Sequence, residues 1–395
     1  MSNRIRIVLI ILIMALLIGA SYWYMQETTG KVEVAVEQKW RLHDNLLDVS
    51  FSEDTKGRLG KRPATDVSFS GESAGWAVGQ YGTVLRSEDG GKSWSYQRSN
   101  TTRDLMGVFA ISREKGCAVG RAGTIMRTDD GGNNWHRVES GVACQYNDVA
   151  FISPQDGFIV GEFESILRTK DGGANWTLIH GGEPEEIDFS QIKEGEILDE
   201  DFGMEEEVYT LKRIYFLDSE HGWTAGEYGT ILRTIDGGKS WLKVTSGTEN
   251  SLSGIEFLNM DLGFAVGLDG IIIKSIDGGI SWTKDKPTIK THYYDLSFKR
   301  FGASTTRNDA VAVGQGVIAS YSYFKKPYLQ NWVPAMEMNY RIDYNWINSI
   351  TFISKTGERA IAVGDQGLIL FTDNGGDEWD IVRYPEKSVE LVLAR

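Results

Sequence analysis

Ser87-Glu88-Asp89-Gly90-Gly91-Lys92-Ser93-Trp94 is one copy of a cassette, Ser/Thr-x-Asp-x-Gly-x-x-Trp, that returns down the chain and ends again at Trp135, Trp176, Trp241 and Trp282. A sixth copy ends at Trp379, with Asn374 where Asp89, Asp130, Asp171, Asp236 and Asp277 stand in the others. Trp94, Trp135 and Trp176 are 41 residues apart, as are Trp241 and Trp282. That period is the length of one four-stranded propeller blade. Each period reads as four short strands, a to d, with apolar residues alternating at period two as a half-buried strand requires. In the first copy these are Asp66–Phe69, Gly75–Gly79, Gly82–Arg86 and the segment from Trp94 onward. From the strand a Phe to the Gly that ends strand b is ten residues in four copies: Phe69 to Gly79, Phe151 to Gly161, Phe216 to Gly226 and Phe257 to Gly267.

The sequence therefore predicts an all-β, seven-bladed β-propeller over residues 47–395. Its sixth blade keeps Ala310–Gly314 and Val317–Ser320 but has no cassette before Trp332. Trp40–Phe51 ends in Asp48-Val49-Ser50-Phe51, an echo of Asp66–Phe69, and adds either a strand that closes the ring or an extra turn outside it. Residues 26–46 are the linker that includes this candidate closing strand.

In the cassette, the Asp carboxylate suits the backbone N–H groups of a tight c–d turn, the Gly pair takes angles closed to other residues, and the Trp wedges between blades. Asp89, Trp94, Asp130, Trp135, Asp171, Trp176, Asp236, Trp241, Asp277, Trp282, Asn374 and Trp379 are accordingly read as structural. Arg86, Arg127, Arg168, Arg233 and Lys274 hold one place before the cassette, where a repeated side chain would bond the neighbouring blade's backbone.

Arg4 and Arg6 precede an apolar run from Ile7 to Ala20 that continues to Met25, close to the ~20 residues that cross a bilayer as a helix. Residues 1–25 are thus read as a signal anchor, with a signal peptide cleaved near Gly19-Ala20-Ser21 as the competing reading. Either way the remaining chain is exported, to a periplasm, a cell surface or a thylakoid lumen. Cys117 and Cys144, the two cysteines, are either a disulfide of that compartment or two buried thiols.

Of the net charge of −14, the insert Gly181–Glu207 carries most: twelve acidic side chains and only Lys193. The rest is nearly neutral, and no basic stripe offers nucleic acid a footprint. The five histidines show no metal-ligand spacing, no serine elbow is present, and the Gly-rich turns join strands rather than opening a helix. No cofactor, metal or catalytic group is expected.

Strand direction alternates, so b–c turns and d–a connections share one face and the cassettes share the other. The b–c face presents Tyr81, Arg121, Glu162 with Phe163, Glu227 with Tyr228, Asp269, Gln315 and Asp365, the candidate partner-binding residues. Aromatic area beside directional polar groups suits an exposed peptide.

Gly75-Trp76-Ala77-Val78-Gly79-Gln80-Tyr81-Gly82-Thr83-Val84-Leu85-Arg86-Ser87-Glu88-Asp89-Gly90-Gly91-Lys92-Ser93-Trp94, matched by Gly222 to Trp241, resembles the family of photosystem II assembly and stability factors. These are lumenal seven-bladed propellers of cyanobacteria and chloroplasts, with relatives in other bacteria. The resemblance covers Asp66 to Trp379 and implies a non-enzymatic scaffold that binds a newly made membrane subunit on its exported side. Such cassettes are also the Asp-boxes of sialidases, and a glycan-binding or sialidase-like hydrolase is the alternative function. Its opening motif would be Tyr/Phe-Arg-Ile-Pro ahead of the boxes; here Tyr340-Arg341-Ile342-Asp343 lacks the proline and follows five of them.

Overall fold

Seven four-stranded antiparallel sheets, each built from four strands consecutive in sequence, stand where the cassette period places seven blades. The computed structural model describes residues 45–52, 74–182, 208–287, 289–299, 309–321, 332–334, 346–353 and 357–382, all within one compact unit, Leu42–Lys387. The anchor segment 1–25, most of the 26–46 linker, residues 183–207 of the acidic insert and Tyr340–Asp343 lie outside them. Among the described residues no helix is long and apolar enough to cross a membrane.

The innermost strands are Leu46–Ser52, Leu105–Ala110, Tyr146–Phe151, Leu211–Phe216, Leu252–Phe257, Tyr293–Phe298 and Ile347–Phe352. The first of these corrects the sequence reading. Leu46–Ser52 is strand a of blade one, paired with Ala74–Gly79 through Leu46↔Gly79 and Phe51↔Gly75, while Asp66–Phe69 lies outside the described residues. The two Asp-Val-Ser-Phe strings carry the same local pattern; the earlier one pairs with Ala74–Gly79, and the long a–b connection this needs costs little extra closure entropy. Among the described residues no strand is shared between the first and last blades. Their junction is made by side chains: Asn348 Nδ2 donates to the Leu46 carbonyl at 2.9 Å, and the Gln366 N–H donates to Asn45 Oδ1 at 2.9 Å.

The core lies between blades. Trp76, Val78 and Val84 of blade one pack with Leu105, Val108, Ala118, Met126 and Trp135 of blade two, and the Trp76 and Trp135 rings meet edge-on at 5.9 Å. The same between-blade wedge recurs as Phe158 with Trp241 at 6.3 Å, and within blades the tryptophan also meets the strand a ring, as Phe151 with Trp176 at 6.0 Å and Phe257 with Trp282 at 5.7 Å. Such pairs contribute about 0.5–1.5 kcal/mol beyond the area they bury. Blade six keeps its wedge without a cassette: Trp332, fully buried, lies 5.3 Å from Phe264 and 5.4 Å from Tyr321. Cys117 and Cys144 are free buried thiols.

At the cassette end, Asp236 accepts from the backbone N–H groups of Lys239 and Ser240 and from the Ser240 and Thr234 hydroxyls. The Thr234 hydroxyl accepts the Gly238 N–H at 2.9 Å, and Gly237 and Gly238 hold φ of 70° and 72°, a region other residues enter only under strain. Equivalent bonds run from Ser87 to Ser93 and from Thr128 to Asn134. In blade seven Asn374 still accepts from Thr372 and from the Glu378 N–H. Arg127 Nε and Arg233 Nε donate to the Gly172 and Gly278 carbonyls of the next cassette, at 2.9 and 2.8 Å. Arg86 instead reaches the Arg113 carbonyl, Arg168 pairs with Asp156, and Lys274 donates to the Tyr321 hydroxyl.

Candidate functional site

On the face opposite the cassettes, six of the b–c turns close as the first does, with the Gly79 N–H to the Thr83 carbonyl and the Thr83 N–H to the Gln80 carbonyl, both at 3.0 Å, while blade six turns through Gln315-Gly316 between the paired Gly314 and Val317. The tip residue is forced left-handed, with φ of 53° at Tyr81, 52° at Ala122, 58° at Phe163, 50° at Tyr228, 58° at Asp269 and 55° at Gln366. This conformation costs about 1 kcal/mol or more for a residue with a side chain. At three tips the next blade holds the strained N–H in place. Asp104 Oδ1 accepts it from Tyr81, His292 Nδ1 from Asp269 and Asn45 Oδ1 from Gln366, all at 2.9 Å. These three tips are therefore tied to the neighbouring blade rather than free of it.

The side chains named from sequence are distributed one set per blade around this face. Tyr81 and Tyr228 project into solvent, 62% and 64% exposed, and the Tyr228 ring rests 4.7 Å from Tyr209. Arg121 lies 3.4 Å from Asp104, and Glu227 lies 3.4 Å from Lys212. Glu162 turns inward to accept the Gln145 N–H at 2.7 Å, and Phe163 packs half-buried against the core cluster that includes Cys144, Tyr146 and Leu167. Asp269 stands 3.8 Å from His292. Gln315 bridges to Trp346 through the backbone, and the Asp365 N–H donates to the Trp346 carbonyl at 2.9 Å.

Beneath this face the innermost strands carry a feature that reading the turns misses. The residue just before each strand a core forms a seven-membered ring: Asp48, Gly107, Asp148, Arg213, Gly254, Asp295 and Ser349, all opposite the last apolar residue of strand b. Arg213 reaches three carboxylates at once, with Nη2 at 2.5 Å from Asp295, Nη1 at 3.3 Å from Asp48 and Nε at 3.7 Å from Asp148. Each carboxylate also takes a backbone N–H from the next blade: Val108 to Asp48, Ile214 to Asp148 and Ile350 to Asp295, at 2.8 to 3.0 Å. Gly107 and Gly254 admit this close approach, since a Cβ there would meet the Cα of Asp148 at 2.8 Å and of Asp295 at 3.0 Å.

Three buried carboxylates share one guanidinium. Burial pushes Asp148 up to about 7 and Asp295 up to about 6, against the pull of Arg213. Burial also opposes the charge on Arg213, but Asp295, Asp148 and Asp48 outweigh it and hold its pKa above the usual range. The signal was in the sequence, three residues before the strand a Phe in six blades: Asp48 before Phe51, Asp148 before Phe151, Arg213 before Phe216, Gly254 before Phe257, Asp295 before Phe298 and Ser349 before Phe352.

The family model described as Photosynthesis system II assembly factor YCF48 matches residues 32–143 and 198–284, half of the chain. The chain belongs to the YCF48 family. Among curated proteins no sequence matches it. Its fold is similar to that of a structure titled YCF48 bound to D1 peptide, at 17% identity and a TM-score of 0.59, over 84% of this chain and 93% of that one. A YCF48 from Cyanidioschyzon merolae superposes with a TM-score of 0.49 at 16% identity, over 70% of this chain and 84% of that one. The WD40 propeller domain of Doa1 reaches 0.54 at 12% identity, over 85% and 95%. The peptide-bound YCF48 and the WD40 domain superpose comparably, so those two likenesses speak for the propeller, and the family match alone speaks for YCF48.

Proposed function

We propose that this YCF48-family protein is a non-enzymatic scaffold that holds an exported segment of a membrane protein during assembly or stabilisation of its complex. The grip is placed on the b–c face, through Tyr81, Arg121, Glu162, Phe163, Glu227, Tyr228, Asp269, Gln315 and Asp365. Membership of a family of assembly factors carries the reading. Tyr81, its N–H held by Asp104, and Tyr228, resting on Tyr209, support its location, because aromatic side chains already held in place bind with little ordering cost. A YCF48 of the same fold binds a peptide, D1, an occupant suited to a ring of such tips.

The N-terminal apolar run Ile7–Ala20 serves as the anchor in this scheme, tethering the propeller on the extracytoplasmic side, and the cassettes staple the opposite face. Affinity capture from membranes with the full chain should enrich integral membrane proteins, and Glu227→Ala with Tyr228→Ala should reduce that capture at least several-fold. Undiminished capture by the double variant would remove the b–c face from the scheme.

A further inference from the structure

Six of the seven strand a entries place a residue no larger than histidine at the b–c face, while the seventh places Trp346. The indole is 45% exposed and its ring lies 5.8 Å from Tyr294, tilted by 37°. Tyr294 is the bulged residue of its strand, between Tyr293↔Gly314 and Asp295↔Val313. Asp365 is tied to Trp346 by its own N–H, and Asn348 Nδ2 donates to its Oδ1 at 3.2 Å. Burial lifts the Asp365 pKa despite that bond, and Asp365 in turn helps raise the Tyr294 hydroxyl, after burial. Two aromatic rings and a partly desolvated carboxylate thus share one corner of the face.

Among the described residues the charge at this corner is uncompensated. Glu227 has Lys212, Asp104 has Arg121 and Asp269 has His292 nearby, whereas among the described residues no ion pair reaches Asp365. Below it the axial ring sets three carboxylates against one guanidinium, adding a further negative field at the mouth. An aromatic face and a carboxylate both attract a cation, and the attraction strengthens where water is excluded.

We propose that Trp346, Tyr294 and Asp365 form a subsite for a basic side chain, lysine or arginine, of the protein segment bound at the b–c face. The ring π-faces take the cation, and Asp365 supplies the counter-charge that Asn348 alone does not. This rests on the scaffold reading above and adds to it the chemical class of one bound residue.

The test uses the full chain and a fluorescein-labelled peptide alternating glycine with arginine, beside its glutamine and glutamate counterparts, read by anisotropy. The arginine peptide should bind and the other two should not. Trp346→Ala, which leaves the charge unchanged, should weaken binding about five- to thirty-fold, as should Asp365→Asn, and Asp365→Lys should transfer preference to the glutamate peptide. Melting temperatures near wild type show that the variants are folded. If Asp365→Asn weakens binding while Trp346→Ala does not, the peptide is reporting only the net negative charge, and the subsite is overturned. Equal binding of arginine and glutamine peptides overturns it as well. Glu227→Ala with Tyr228→Ala in the membrane capture tests the face separately, so the subsite can fail while the scaffold reading stands.

Discussion

Replacing Arg213 by methionine keeps most of the side-chain volume and removes the one cation that Asp48, Asp148 and Asp295 share. Each carboxylate retains its backbone N–H from the neighbouring blade, so the loss is electrostatic rather than a collapse of the hydrogen-bond pattern. Breaking a buried ion pair on one side costs about 3–5 kcal/mol, a large part of the ~5–15 kcal/mol that holds a typical domain folded. At pH 8 the variant should unfold at markedly lower urea, with a penalty of about 3–5 kcal/mol. At pH 5 Asp148 and Asp295 carry protons, since burial has raised them to about 7 and about 6, and the penalty should shrink below about 2 kcal/mol, largely lost packing and hydrogen bonds. Urea titrations followed by tryptophan fluorescence at the two pH values measure this directly, and Asp295→Asn added to Arg213→Met should recover part of the loss at pH 8. An equal penalty at both pH values, or one under about 1 kcal/mol at pH 8, would refute the claim that the ring is electrostatically coupled.

The wild-type protein should itself be most stable in mildly acidic solution. Asp148 and Asp295 bind protons more tightly folded than unfolded, so stability rises as pH falls from about 8 towards 5. Asp130, Asp171, Asp236 and Asp277 behave oppositely, because donation from Asn134, Asn175, Ser240 and Ser281 holds them below the usual carboxylate range. Their contribution is lost below about pH 4, and melting temperatures across pH 3–9 should show the resulting dome. Gly107→Ala drives a methyl into the Asp148 backbone and should cost about 1–3 kcal/mol, read as a lower urea midpoint. Asn374→Asp alone should not stabilise blade seven, because Glu378 stands where Ser240 donates to Asp236 in blade four, and Asp373 and Asp377 add like charge. Asn374→Asp with Glu378→Ser should exceed the sum of the single changes by about 1 kcal/mol in a double-mutant cycle.

The blades were legible because the cassette is local: eight consecutive residues hold the carboxylate, the glycines and the tryptophan that close one turn. The b–c tips were legible for the same reason. Blade one's inner strand was not, because Asp48–Phe51 and Asp66–Phe69 satisfy the same local pattern, and only pairing with Ala74–Gly79 chooses between them. The axial ring was also missed, since Asp48 and Arg213 are 165 residues apart and meet only once the toroid has closed. Trp346 escaped notice because its exposure follows from its place at a strand entry, where no periodic pattern reaches.

Every blade here is made from an uninterrupted stretch of chain, and the union of the first with the last uses side-chain bonds where many toroids would share a strand. Such a ring has no privileged beginning. Its ends could be joined and reopened between any two blades without dividing a sheet, and a gene encoding it could gain or lose a module by a single duplication or deletion at a blade boundary. Circular permutants opened within the d–a connection at 245–250 should fold, and permutants opened inside a blade should not.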